Sequence, residues 1–336
     1  MWIMYFAAIV ATFILSFLIV CLTTEHKKDN FGFNKDNSQM LKGIAICCVF
    51  VCHYMGNFGD GTVTLFTPLG GIGVAIFLLL SAYGLNESWN RNGATFWWRK
   101  RFVAVFLPYI LVQLLCYWTT HDFSLLSFLK DIFLISPLHN YGWYLNHLLL
   151  WYILFYIVMR VSLLRKYKIL IFTIISVCMF FCLRELRAEQ SLSFLAGILL
   201  SEYKQSTFVI KTTNWKYGLL LLLLGVSFLA LKQIPFIREM PQILFNLVQL
   251  MIKFPCGLGV CFIAIDLAKK INMKLFVFVG SFSYELYLLH GYAIQYTPHS
   301  LMGAVICISA SVVAAILLHW FLSKANNLNK TLLRIK

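Results

Sequence analysis

The chain is 336 residues long, 60% hydrophobic, 16% aromatic and only 12% charged, with a mean hydropathy of +0.79. Soluble domains carry about 25% charged and about 45–50% apolar residues, so a water-soluble fold is excluded, and so is a disordered chain, which is poor in apolar residues. The 28 Lys and Arg against 13 Asp and Glu leave a formal charge of +15; in a membrane protein such an excess is first an orientation signal and no sign of nucleic-acid binding.

A bilayer core about 30 Å thick needs about 20 mostly apolar helical residues. Such runs predict an all-α, polytopic bundle of about eleven transmembrane helices: 2–22, 40–58, 68–88, 102–119, 143–163, 168–184, 191–203, 216–233, 242–268, 274–296 and 302–322. The first run lacks a basic flank and a small-residue cleavage site, so it reads as a retained helix. Placing alternate loops on one side collects 22 of the 28 basic residues there, from Lys27 to Lys336. The other side holds Lys130, Arg184, Arg187, Lys232 and Arg238, and Lys253 lies inside a span. The positive-inside rule then sets the N-terminus outside and the C-terminus in the cytoplasm. Residues 1–39 read as an additional helix plus a cytoplasmic linker, 40–323 as the membrane core and 324–336 as a basic tail. No internal repeat of the kind found in many secondary transporters is evident. Ten cysteines lie within or beside the apolar runs without C-x-x-C or zinc spacing, so they read as small hydrophobes and no metal is expected.

Ionisable groups within spans are costly and therefore functional candidates. Here they are His53, His147, Lys253, Glu285, His290 and His319. In LKGIAICCVFVCHY (41–54), Lys42 and His53 are eleven residues apart. That spacing returns to within about 20° of one helix face, about 16 Å along it. Histidine titrates near neutrality and can take a proton from a hydroxyl; a core histidine bonded to a neighbouring helix is the alternative. GGIGVAIFLLLSAYGL (70–85) permits close helix approach through its glycines and ends on the hydroxyls of Ser81 and Tyr83. In FWWRKRFVAVFLPYI (96–110), Arg99, Lys100 and Arg101 open a span, a natural setting for anions or lipid headgroups. YGWYLNHLLLWYILFY (141–156) brings Trp143, Asn146 and His147 to a span entry, and Asn in an apolar helix usually bonds across helices. GSFSYELYLLHGY (280–292) sets Ser283, Tyr287 and His290 on one face at i, i+4 and i+7, with Glu285 pointing elsewhere and needing its own partner.

In order, these segments resemble the acyltransferase 3 family of bacterial multi-pass membrane acyltransferases over about residues 40–323. The family's basic residue and histidine, separated by ten residues, match Lys42 and His53, with Lys where Arg is commoner. Its F-x-x-S-G-[FY] segment looks like Phe77 to Tyr83, with Ala82 in place of Gly. Its arginine-rich stretch before a Pro-containing helix looks like Arg99, Arg101 and Pro108 at a different spacing. Trp143–Tyr144–Leu145 resembles the aromatic entry motif, and SFLAGILLSEYK (193–204) another family segment. Ser283, Tyr284, Tyr287, Leu288 and His290 match the S-Y-x-x-Y-L-x-H signature.

The resemblance implies a ten-helix core, here preceded by one extra helix. It also implies transfer of an acyl group, most often acetyl from cytoplasmic acetyl-CoA, to a hydroxyl of a cell-envelope carbohydrate. It puts the protein in the bacterial inner membrane, with membrane lipid and possible proteins of a polysaccharide pathway as neighbours. On this reading His53 is the general base or a transient acyl carrier, with Glu285 and His290 as further catalytic candidates. Lys42, Arg99 and Arg101, with Ser81 and Tyr83, would hold the CoA side, though lysine supplies a point charge without a bidentate fork. Trp143, Asn146, Ser283 and Tyr287 would orient the acceptor. A glycan flippase or a lipid-linked glycan polymerase is the rival, distinguished by its independence of CoA.

Overall fold

Inside a bilayer the backbone has no water to bond, so a chain must satisfy its own N–H and C=O groups, and a helix does so within one segment. The computed structural model describes residues 33–56, 66–119, 124–135, 142–298 and 300–334, and every regular element among them is helical. The expected first span, 2–22, lies outside the described residues. The principal helices are α1 (Lys35–Gly56), α2 (Thr67–Asn92), α3 (Trp97–Arg101), α4 (Leu107–Thr119), α5 (Leu125–Ile132), α6 (Trp143–Arg160) and α7 (Lys168–Cys182). They continue as α8 (Ser191–Glu202), α9 (Trp215–Leu231), α10 (Gln242–Leu267), α11 (Lys274–Ser281), α12 (Ser283–Tyr296) and α13 (Leu301–Arg334). Helices at Lys35–Gly56, Thr67–Asn92, Trp97–Tyr117, Gln242–Leu267 and Met302–Ala325 are long and apolar enough to cross a membrane; Lys168–Cys182 and Trp215–Leu231 are apolar but shorter.

Two departures from the sequence reading stand out. The run 274–296 is not one unbroken helix: α11 ends at Ser281, Phe282 leaves the helical path at φ −120° and ψ 20°, and α12 begins at Ser283. The break falls at Gly280–Ser281–Phe282–Ser283, where small and polar residues interrupt the apolar run. The last helix, expected over 302–322, continues through the basic tail to Arg334.

The chain forms two compact units. One comprises residues 1–87 and 167–281, the other 88–166 and 282–336. In the first, helices approach to backbone contact. A Cβ at Gly280 of α11 would collide with the Gln39 carbonyl of α1, and one at Gly197 of α8 with the Leu79 carbonyl of α2. Close approach of this kind is how small residues assemble helices without a hydrophobic drive between them. In the second unit the core is aromatic: Trp151 and Phe155 of α6 are fully buried, and Trp97 stacks on Phe155 with centroids 6.2 Å apart. Outward-facing leucines of α9 (Leu220, Leu223) and apolar residues of α13 (Met302, Leu317, Trp320) are exposed, which suits lipid and not water. Nine cysteines are described, and all are free; Cys256, Cys261 and Cys307 are buried, whereas Cys178 and Cys182 are exposed on α7.

Candidate active site

In the first unit, α1 carries Lys42 and His53, both half-buried. Ile46 and Val49 stand between them at helical spacing and are fully buried, so this stripe is turned inward. Val49 packs where a Cβ of Gly73 would stand, 2.8 Å away, which sets the stripe against α2. His53 follows Val49 by four residues and continues that stripe one turn further. Ser81 and Tyr83 lie near the other end of α2, half-buried, with Tyr83 tilted against Phe33 at 5.1 Å between centroids.

One turn beyond Tyr83, the C-terminal end of α2 meets a polar network that the sequence reading did not single out. Buried Asn86 donates from Nδ2 to Ser201 Oγ at 2.9 Å and to Glu202 Oε1 at 2.6 Å. Ser201 donates to Glu87 at 2.8 Å; Lys204 pairs with Glu87 at 2.7 Å and Lys168 with Glu202 at 2.5 Å. Asn86 is a polar residue in an apolar helix, which was the available signal; its partners are more than a hundred positions away. A second interior pair joins Lys253 of α10 to Glu189. Lys253 drew notice as a charge within a span, and Glu189, in a short polar turn, did not.

In the second unit, Arg99 and Arg101 sit on α3, each guanidinium over an aromatic ring: Arg99 lies 5.9 Å from the Phe96 centroid and Arg101 5.6 Å from that of Trp97. Rings hold planar guanidinium groups at this range. Between α3 and α4 the helix widens into a π-helical stretch, Phe102–Phe106, where the Leu107 N–H reaches back to the Phe102 carbonyl. The wide turn accommodates Pro108, which has no N–H to offer. Tyr284 of α12 donates to the Val105 carbonyl in this stretch at 2.8 Å.

Ser283, Glu285, Tyr287 and His290 all fall on α12 and are buried. His290 Nδ1 lies 2.7 Å from the Tyr287 carbonyl and 3.2 Å from that of Leu286. Carbonyls only accept, so Nδ1 carries the hydrogen, and in the neutral ring Nε2 holds the lone pair. Tyr287 meets His290 at 5.6 Å and Tyr144 at 5.3 Å between centroids. Glu285, which the sequence left seeking a partner, accepts from His319 Nδ1 of α13 at 2.9 Å. Trp143 and Asn146 are half-buried at the start of α6. Asn146 donates to the Leu134 carbonyl at 2.9 Å, and Leu134 itself has a left-handed φ of 57°. His147 accepts from Trp151 Nε1 at 3.1 Å. Tyr109 donates to fully buried Asp131 at 2.6 Å, a pairing for which the sequence offered no cue.

The predicted residues thus divide: Lys42, His53, Ser81 and Tyr83 belong to the first unit, and Arg99, Arg101, Trp143, Asn146, Ser283, Glu285, Tyr287 and His290 to the second. A family model described as an acyltransferase domain, that of acyltransferase 3, matches residues 36–322, well over half of the chain. The chain belongs to the acyltransferase 3 family. As a family member with several long apolar helices it is a multi-pass membrane acyltransferase. No curated protein and no solved structure matches it. The matched span takes in every candidate residue above, from Lys42 to His290, and also Lys253, Glu189 and Asn86. Among the described residues, no group of three His, Cys, Asp or Glu side chains could hold a metal ion.

Proposed function

We propose that this acyltransferase moves an acetyl group from cytoplasmic acetyl-CoA to a hydroxyl of a cell-envelope or exported carbohydrate, in the bacterial inner membrane. The observation that carries this reading is the inward stripe of α1, with Lys42 at one end, His53 about 16 Å further along and buried Ile46 and Val49 between them. A donor on one side of a membrane and an acceptor on the other call for an imidazole part-way through it. The orientation that fits is the one from the charge count: eleven spans, N-terminus outside, Lys42 toward the cytoplasm. The core spans 40–323, between an additional helix with its linker (1–39) and a basic tail (324–336).

In the reaction, His53 takes the proton of the acceptor hydroxyl as its oxygen bonds to the thioester carbon. The C–S bond then breaks, and the imidazolium returns the proton to the departing sulfur. Arg99 and Arg101, over the rings of Phe96 and Trp97, are the candidates for the CoA phosphates, with Lys42, Ser81 and Tyr83 on the donor side. Ser283, Tyr287 and His290 are candidates for orienting the acceptor, His290 through Nε2, with Trp143 and Asn146 at the acceptor entry. Glu285, paired with His319, is the carboxyl candidate for proton handling.

The test is replacement of the chromosomal copy by His53→Ala, with membrane abundance checked by immunoblot and surface-glycan O-acetyl signals read by NMR. Loss of the signals at wild-type abundance is expected. Signals at wild-type level overturn the catalytic assignment of His53.

A further inference from the structure

The most enclosed ion pair of the first unit involves none of the residues that the family motifs carry. Lys253 of α10 meets Glu189 with side chains only 8% and 4% exposed. The neighbouring Gln190 donates from Nε2 to the Gly71 carbonyl at 2.8 Å and accepts from Ser193 Oγ at 3.2 Å. Gly71 leaves room there for the stem of Lys253, whose Cδ and Cε would lie 2.5 and 2.6 Å from a Cβ. Lys253, Glu189 and Gln190 therefore clasp the opening turns of α2 at a single residue.

Next along the chain, Gly70 faces α1. Cys52 Sγ fills the place of its Cβ at 2.7 Å and approaches the Thr67 carbonyl at 3.4 Å. Cys52 precedes His53, and Val49, one turn before His53, packs on Gly73. The same turns of α2 are thus tied to the ion pair on one side and lean on the end of α1 that bears His53 on the other.

Stability gives little reason to keep such a pair, since well-packed apolar replacements of buried ion pairs are often neutral or stabilising, and charges within apolar spans are costly. We infer that Lys253 and Glu189, with Gln190, are positioning residues: they fix the opening turns of α2 against α1 and so set where the His53 imidazole stands. The importance of that placement rests on the proposed role of His53; the placement itself does not.

The full-length protein in nanodiscs is labelled with diethyl pyrocarbonate, and the rate of His53 carbethoxylation is followed by mass spectrometry beside the thermal unfolding midpoint. The double variant Lys253→Met, Glu189→Gln keeps volume and removes both charges. It is expected to unfold near the wild-type midpoint yet label His53 about threefold faster or more, the scale of a contact coupling. The exchange Lys253→Glu, Glu189→Lys restores a pair and is expected to bring the rate back toward wild type. A folded double variant that labels at or below the wild-type rate overturns the inference. If the double variant does not fold, Gln190→Met, which removes the bonds to Gly71 and Ser193 and leaves the ion pair, carries the comparison: faster labelling supports the inference, and an unchanged rate overturns it. Because labelling requires no acetyl transfer, it reads the placement of the imidazole even if His53→Ala leaves glycan acetylation intact.

Discussion

The two units each hold a carboxylate against a nitrogen-bearing side chain, in opposite ways. In the first, Lys253 and Glu189 are sealed among helices that touch backbone to backbone. In the second, Glu285 meets His319, whose side chain is 39% exposed, among helices joined by aromatic rings and side-chain bonds to irregular backbone. A sealed lysine cannot find another partner, so its unit is built around a fixed feature. A part-open histidine can turn to solvent or substrate. The first arrangement suits holding a framework still, and the second suits a group that must change partner.

The largest effect expected from breaking this contrast is Lys253→Met alone, which strands the Glu189 charge in the interior. Loss of one partner of a buried pair costs about 3–5 kcal/mol, and thermal unfolding in detergent should show a drop in midpoint or loss of folded protein. Gly197→Val tests the backbone contact of α8 with α2. Overpacking against the Leu79 carbonyl should cost about 1–3 kcal/mol, read by the same melt with retained membrane insertion. In the second unit, Tyr109→Phe removes the donor to buried Asp131 and should cost about 1–3 kcal/mol, visible as earlier proteolysis of the 124–135 segment. Glu285→Gln should be the mildest, about 0–1 kcal/mol in stability as befits a part-exposed pair. Measured acetyl transfer would then fall without a matching fall in Tm. A large loss of stability in Glu285→Gln, or none in Lys253→Met, would reverse the contrast.

Long apolar runs made α1, α2, α10 and α13 legible, because lipid demands length and composition before anything else. The Lys42–His53 face was legible from helical periodicity, and so was the need of Glu285 for a partner, since it points away from the face that carries Ser283, Tyr287 and His290. Other features depend on tertiary packing, which no local pattern records. The break at Phe282 falls among Gly280, Ser281 and Ser283 of a run that is apolar overall, and the contact of Gly280 with α1 shapes the preceding helix. Asn86 and Ser201 are 115 positions apart, and Lys253 and Glu189 are 64 apart. Glu189 looked like an ordinary turn residue because its charge is matched only after the chain has folded.

The discontinuity at Phe282 imposes one more requirement. Where a helix stops and restarts, the closing carbonyls of α11 and the opening N–H groups of α12 lose their partners along the chain, and hydrocarbon offers none. Ser281 turns its hydroxyl back to the Phe278 carbonyl at 2.7 Å, and Phe282 is 2% exposed. Such backbone can exist at membrane depth only where protein or trapped water surrounds it. The backbone at buried Phe282 and Ser283 therefore cannot form part of the lipid-facing perimeter.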